Sequence, residues 1–122
     1  MTEREGVIKY SLDFTEGVLG EPTSLDVLDA WRSIFKDTGL LGEDPDRYGG
    51  YGFGNLSART DLGFLITGSQ TGNLATTSSS HYAEVVGWSL EDNAVSAIGP
   101  IRPSSEALTH AALYDAFESI RY

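Results

Sequence analysis

The chain has 122 residues, of which 40% are hydrophobic and 11% aromatic, so it is long enough for one domain with a packed core and too apolar for a disordered chain. With 8 basic and 18 acidic residues, the formal net charge of -10 disfavours nucleic acid and anionic membrane surfaces as partners. The absence of cysteine excludes disulfides, thiolate metal sites and a cysteine nucleophile. The sequence contains no apolar run of signal-peptide length and none near the ~20 residues of a membrane span, so we expect a cytoplasmic protein.

The N-terminal part of the chain predicts one strand and one helix. Apolar and polar residues alternate over residues 8–14, which is typical of a half-buried strand. A helix is predicted over residues 24–38, with Thr23 or Ser24 as its N-cap and Gly39 after its last turn. An apolar stripe on this helix is expected to face the core, and it consists of Leu25, Leu28, Trp31 and Phe35.

The remainder of the chain predicts short strands, loops and a second helix. Residues 42–54 are rich in glycine and residues 67–80 in serine and threonine, so both are predicted to be loops. Strands are predicted at residues 55–59, 64–67, 82–90 and 95–98. The second helix is predicted over residues 104–117, and one of its faces carries His110, Leu113, Tyr114 and Phe117. This order predicts an α/β fold in which helices cover a sheet.

Three segments have the composition of a site for a small anion. Gly50–Asn55 places an amide donor after alternating glycines, which let backbone N–H groups approach an anion closely. Thr67–Gly72 is rich in hydroxyl groups and follows a predicted strand. Pro103–Glu106 lies at the start of the second predicted helix, where free N–H groups and the helix dipole favour phosphate or carboxylate. Each segment alone is also ordinary in turns and helix caps.

The order of these segments resembles the class II aldolase/adducin family. The resemblance is carried by Gly54–Arg59, Phe64–Gly72 and Pro103–Glu106, followed by His110 and Tyr114. It covers residues 23–122 and leaves residues 1–22 as an N-terminal extension of a single domain. The resemblance implies a three-layer α/β/α class II aldolase-like fold that is incomplete at its C-terminus.

The family includes sugar-phosphate aldolases, such as fuculose-1-phosphate aldolase, and the related ribulose-5-phosphate 4-epimerases. The resemblance therefore implies a lyase or epimerase that acts on a small phosphorylated or hydroxylated carbonyl metabolite with a divalent metal, zinc being the expected one. Such chemistry passes through an enediolate and needs a group that moves a proton. Glu106 matches the family's catalytic acid/base residue. The loop Thr67–Gly72 is about two residues longer than the family's usual form, which bears on the match of Thr71 and Gly72. The positions that match the family's phosphate site are Asn55, Thr71, Gly72, Ser104 and Ser105.

The metal ligands that the resemblance implies have no counterpart in this sequence. In the family they are a His-x-His pair on a strand after the point where this chain ends, with a further histidine downstream. The chain contains only His81, expected at the surface, and His110, expected to pack near Glu106 on the second helix. No metal ligand is therefore assigned, and we expect this chain to be inactive on its own.

Three hypotheses remain open for its role. The chain is the N-terminal part of a class II aldolase-like enzyme, a non-catalytic relative that serves association as adducin does, or a small phosphate-binding module. Without the family's later strands the sheet should expose an unpaired edge, so we expect self-association and a homo-oligomer. Three aromatic residues among the glycines are expected to line a ligand, contact another subunit or pack over the loop, and these are Tyr48, Tyr51 and Phe53.

Overall fold

A computed structural model describes residues 9–20 and 22–122 of the chain. In chain order its α-helices and β-strands are β1 (Ser11–Glu16), α1 (Leu25–Asp37), β2 (Gly42–Glu43), β3 (Gly52–Phe53), β4 (Ser57–Arg59), β5 (Phe64–Thr67), β6 (Tyr82–Ser89), β7 (Ala94–Gly99) and α2 (Ala107–Ala116). Short 3₁₀ helices lie at Tyr48–Gly50 and Ser79–His81. Five strands form one mixed sheet in the order β1-β7-β6-β5-β4, and β2 pairs with β3 in a separate two-stranded ribbon. β1 runs parallel to β7, and all other neighbours are antiparallel.

The two helices pack on opposite faces of the sheet. Successive residues of a strand point to opposite sides, so the residues of β5 show which helix covers each face. On β5, Phe64 and Ile66 belong to an apolar cluster that includes the buried face of α2. The residue between them, Leu65, belongs to a second cluster with Leu28 of α1 and Tyr82 of β6. The α/β class predicted from the sequence is thereby confirmed. The complete three-layer class II aldolase fold stays a prediction.

The sheet strands lie close to their predicted positions. β5 coincides with the predicted 64–67, and β6 and β7 fall within one residue of the predicted bounds. β4 starts two residues later than predicted, at Ser57, since Leu56 instead exchanges hydrogen bonds with Thr67. β1 begins at Ser11, and Ile8 of the predicted strand lies outside the described residues.

Helix α1 confirms the predicted helix, but one residue of the predicted core stripe is wrong. Trp31 is 42% exposed, and its ring packs on Phe35 of the same helix with centroids 6.1 Å apart. The inward stripe runs instead from Leu28 to Arg32, which is only 1% exposed. Gly39 follows the helix with φ +78, a conformation that glycine adopts readily after a helix C-terminus.

Helix α2 begins at Ala107, later than the predicted residue 104, because the residues before it form a turn. Its buried face consists of Ala107, Leu108, Ala111 and Tyr114. Of the residues predicted to share one face, Tyr114 is buried, whereas Leu113 is 48% and Phe117 54% exposed. In the described part of the chain, no helix has both the length and the apolar character required to span a membrane.

Candidate functional site

One cavity of about 850 Å³ brings together side chains from all three segments that the sequence singled out. All six predicted site residues line it, and they are Asn55, Thr71, Gly72, Ser104, Ser105 and Glu106. The three aromatic residues of the glycine-rich segment line it as well. Tyr48 and Phe53 also pack on each other, with ring centroids 5.2 Å apart, so packing over the loop accompanies contact with the cavity.

Backbone hydrogen bonds hold two of the segments side by side. The N–H of Ser104 donates to the carbonyl of Thr67 at 3.0 Å, and the N–H of Ser69 donates to the carbonyl of Arg102 at 2.9 Å. An isolated bridge between Gly68 and Pro103 lies between these contacts. The hydroxyl-rich loop after β5 is thus fixed against the turn that precedes α2.

The glycine-rich segment closes against the same loop. The N–H of Gly52 donates to Oε1 of Gln70 at 2.9 Å. A Cβ on Gly72 would lie 2.8 Å from the carbonyl oxygen of Gly42 and 2.9 Å from that of Phe53. Only glycine fits at position 72 without a backbone shift, because real Cβ atoms do not approach backbone oxygens so closely.

Asn55 is oriented by a chain of side-chain hydrogen bonds. Its Oδ1 lies 2.5 Å from Nε2 of His110, and Nδ1 of His110 lies 2.7 Å from Oγ of Ser57. The hydroxyl of Tyr114 lies 2.7 Å from the same Oγ. An amide oxygen can only accept, so Nε2 of His110 donates to it, and a neutral Nδ1 then accepts from Ser57. No described residue accepts from the amide nitrogen of Asn55, which lines the cavity with its two N–H donors.

Burial keeps this network uncharged near neutral pH. It lowers the pKa of His110 to about 4, and it raises the pKa of Tyr114 although the hydrogen bond with Ser57 and the charge of Arg59 act in the opposite direction. The His110 ring also stacks on Phe64, with centroids 6.4 Å apart. Packing of His110 near Glu106 was predicted from the sequence. Its contacts with Asn55 and Ser57, from another part of the chain, were not.

The turn before α2 presents hydroxyl groups beside a carboxylate. Oγ of Ser104 accepts from the N–H of Glu106 at 3.1 Å, which leaves the hydroxyl hydrogen of Ser104 available to donate. Glu106 is the N-cap residue of α2, and its Oε1 accepts from the hydroxyl of Thr109 at 3.3 Å. A carboxylate therefore stands next to hydrogen-bond donors within one cavity.

Two cationic residues that the sequence did not single out also line the cavity, namely Lys9 and Arg47. The Arg47 guanidinium lies 4.2 Å from the ring centroid of Phe53, and it donates to the carbonyl of Gly39 at 3.1 Å. Among the described residues that line the cavity, Glu106 is the only acidic one. The described lining is thus locally cationic, with two basic residues and one acidic residue, in a chain with a net charge of -10. The signal in the sequence that could have identified Arg47 is its place directly before the run of aromatic and glycine residues 48–53.

The described residues do not fit a divalent metal. Within residues 9–20 and 22–122, no three His, Cys, Asp or Glu side chains are grouped as a metal centre requires. Both ring nitrogens of His110 are engaged by Asn55 and Ser57, and Nδ1 of His81 accepts from the N–H of Ser78 at 3.0 Å.

The fold and the cavity define an α/β protein with a site that is rich in hydrogen-bond donors. Residues 46–122 match the family model of the Class II Aldolase and Adducin N-terminal domain. Because the match spans more than half of the chain, the chain belongs to this family. No curated protein and no solved structure matches it. The resemblance inferred from the sequence is thereby confirmed over residues 46–122.

Proposed function

We propose that the cavity binds a small phosphorylated carbonyl compound and that Glu106 carries out the proton-transfer step of an aldolase- or epimerase-like reaction, although we expect this chain not to complete that reaction on its own. The observation that carries this proposal is the convergence of Asn55, Thr71, Gly72, Ser104, Ser105 and Glu106, which come from three separate segments, on one cavity. Membership of the family supports the reaction class.

The donors around the cavity suit a phosphate group. Asn55 offers its amide N–H groups and Ser104 its hydroxyl hydrogen, and both side chains have their acceptor atoms engaged by protein partners. The hydroxyl of Ser105 has no protein partner among the described residues. Hydrogen bonds to a charged oxygen are roughly twice as strong as those between neutral groups, so such a set favours an anion strongly. The charges of Lys9 and Arg47 act in the same direction.

Glu106 is the carboxylate among the described lining residues, and we assign proton transfer to it. Its carboxylate takes the proton from the carbon next to the substrate carbonyl, and the electron pair of that C–H bond shifts to form an enediolate. The resulting carboxylic acid returns a proton to the same carbon. The family resemblance implies a divalent metal for this chemistry, zinc being the expected one. The described residues provide no site for one, so the roles proposed here are those of the cavity's own side chains.

Phosphate recognition is tested with Ser105→Ala. We expect this variant to bind dihydroxyacetone phosphate about tenfold more weakly, because it loses one hydrogen bond to a charged oxygen. The titration is followed by amide NMR, with dihydroxyacetone as the ligand that lacks the phosphate. Ser33→Ala, an exposed site on α1, is the matched control and should bind as the wild type does. Equal affinity of the wild-type chain for the two ligands would contradict phosphate recognition.

Proton transfer is tested separately with Glu106→Gln. Loss of a negative charge beside the ligand should leave the binding of dihydroxyacetone phosphate unchanged or tighter. Exchange of the ligand's carbon-bound protons in D₂O, measured with and without added Zn²⁺, should be at least about 10²-fold slower in this variant than in the wild type. A wild-type chain that binds the ligand without exchanging its protons would contradict the enzymatic proposal and favour a phosphate-binding module.

Association between copies of the chain is the second candidate function, and the outer face of α1 favours it. Val27, Trp31 and Ile34 form one exposed apolar stripe there, with Trp31 and Ile34 42% and 50% exposed. We expect Ile34→Asp to shift the chain towards the monomer in light scattering coupled to size-exclusion chromatography. Leu62→Asp, at an exposed apolar residue in a turn of the sheet, should leave the mass unchanged. A wild-type chain that elutes as a monomer would refute this candidate.

A further inference from the structure

Arg32 is a buried cation whose hydrogen bonds go to main-chain carbonyls. It is 1% exposed, and its two terminal nitrogens donate to the carbonyl of Thr71 at 2.7 Å and to that of Leu74 at 3.1 Å. Its Nε has no partner among the described residues. A buried charge without a paired counterion is costly, so its position behind a cavity-lining loop calls for an explanation.

Two further residues on the same face of α1 hold the same loop. Nζ of Lys36 donates to the carbonyl of Gly72 at 3.3 Å. Oδ1 of Asp29 accepts from the hydroxyl of Thr77 at 2.6 Å and from its N–H at 3.3 Å. Asp29, Arg32 and Lys36 are spaced three and four residues apart and therefore share one face of the helix. We call these three residues the anchoring face.

We propose that the anchoring face positions the loop for anion binding and that Arg32 and Lys36 are positioning residues of the phosphate site. This inference rests on the proposed function. Neither side chain lines the cavity, and both act through the peptide groups on either side of Gly72, which does line it.

The geometry of the trans peptide explains how this works. A C=O and the N–H of the following residue point in opposite directions. Because Arg32 holds the carbonyl of Thr71, the N–H of Gly72 points away from α1, on the side where its nitrogen approaches Gly52 at the cavity wall. In the part of the chain that the structure describes, this N–H has no acceptor. By the same reasoning, the contact of Lys36 with the carbonyl of Gly72 turns the next N–H away from α1.

The two cations also add positive charge behind the loop. A cation on the oxygen of a peptide group polarises that group and makes its N–H a stronger donor. An anion in the cavity would in turn face the charge of Arg32 across a single layer of backbone. Arg32 thus contacts the peptide group between Thr71 and Gly72, and Gly72 in turn lines the cavity.

The experiment is a titration of ¹⁵N-labelled chain with inorganic phosphate, followed through the amide resonance of Gly72. The wild type should show a saturable downfield shift of this resonance. Lys36→Gln should weaken phosphate binding about three- to tenfold, and Lys36→Arg, which keeps a charged donor, should restore it to within about twofold. Arg121→Gln removes an exposed charge elsewhere and should leave the affinity unchanged. Arg32→Lys, at the buried position, should weaken binding by at least about tenfold.

Folding is checked for every variant by its thermal midpoint. Weaker binding by Lys36→Gln at an unchanged midpoint, rescued by Lys36→Arg, supports the proposal. Wild-type affinity for phosphate in folded Lys36→Gln and Arg32→Lys overturns the positioning proposal and leaves the proposed function intact. Phosphate binding that does not shift the Gly72 amide resonance has the same meaning. An equal loss of phosphate affinity in Arg121→Gln overturns the positioning proposal, because it would show that only the net charge of the chain matters. A wild-type chain that does not bind phosphate refutes the proposed function as well.

Discussion

Replacing Gly54 by alanine is expected to lower the free energy of unfolding by about 3 kcal/mol or more and to abolish phosphate binding. Gly54 has φ +87, a conformation that side chains rarely adopt. A Cβ there would lie 2.4 Å from the carbonyl oxygen of Leu40 and 2.7 Å from Cα of Leu41, both of them backbone atoms that cannot move independently. Because Asn55 follows directly, any relief of the clash displaces the amide that faces the cavity.

The measurement is chemical denaturation of Gly54→Ala together with a phosphate titration of the folded fraction. Gly17→Ala is the matched control, since φ at Gly17 is not in the left-handed region and a Cβ would meet only a side-chain carbon of Ile98 at 3.9 Å. We expect this control to change the free energy of unfolding by less than about 1 kcal/mol. Similar stability of the two variants would show that the backbone at Gly54 rearranges at little cost.

The sheet could be predicted from the sequence because its strands are short, apolar and bounded by turn residues. Phe64–Thr67 is such a segment, and β5 occupies those four residues. The orientation of α1 was harder to predict. The apolar pattern of α1 predicts that Trp31 faces the core. In the structure Arg32 is buried instead, because its guanidinium donates to the carbonyls of Thr71 and Leu74. An apolar side chain could not form these hydrogen bonds.

The residues of the candidate site could be selected from the sequence, but their connections could not. The motifs identified Asn55, Ser104 and Glu106, which the fold brings to one cavity. Periodicity on α2 carries no information about what lies across the sheet, so the contact of His110 with Asn55 was not predicted. The anchoring face was missed for the same reason, because Arg32 and Lys36 donate to main-chain carbonyls and Asp29 accepts from Thr77, and no motif records such contacts.

Protonation of His110 is expected to make the chain less stable as the pH falls from 6.5 towards 4. Burial lowers the pKa of His110 in the folded chain to about 4, against an ordinary value of 6.5. The unfolded chain therefore binds this proton more readily than the folded chain does. The contribution of neutral His110 to the free energy of unfolding is fully present above pH 6.5 and is lost as the pH falls to about 4. The total loss is about 3 kcal/mol, since one pKa unit corresponds to about 1.4 kcal/mol.

The loss has a structural cause in the ordered network. A protonated His110 must donate from both ring nitrogens, so the hydroxyl of Ser57 has to rotate and give up its donation to Nδ1. The measurement is the free energy of unfolding between pH 7 and pH 5, a range chosen to limit the contribution of carboxylates. His110→Gln should flatten this dependence, whereas His81→Gln should retain it. A profile of equal slope in the wild type and His110→Gln would mean that the ring is free to take up its proton in the folded chain, and the ordering of Asn55 by a neutral His110 would then be wrong.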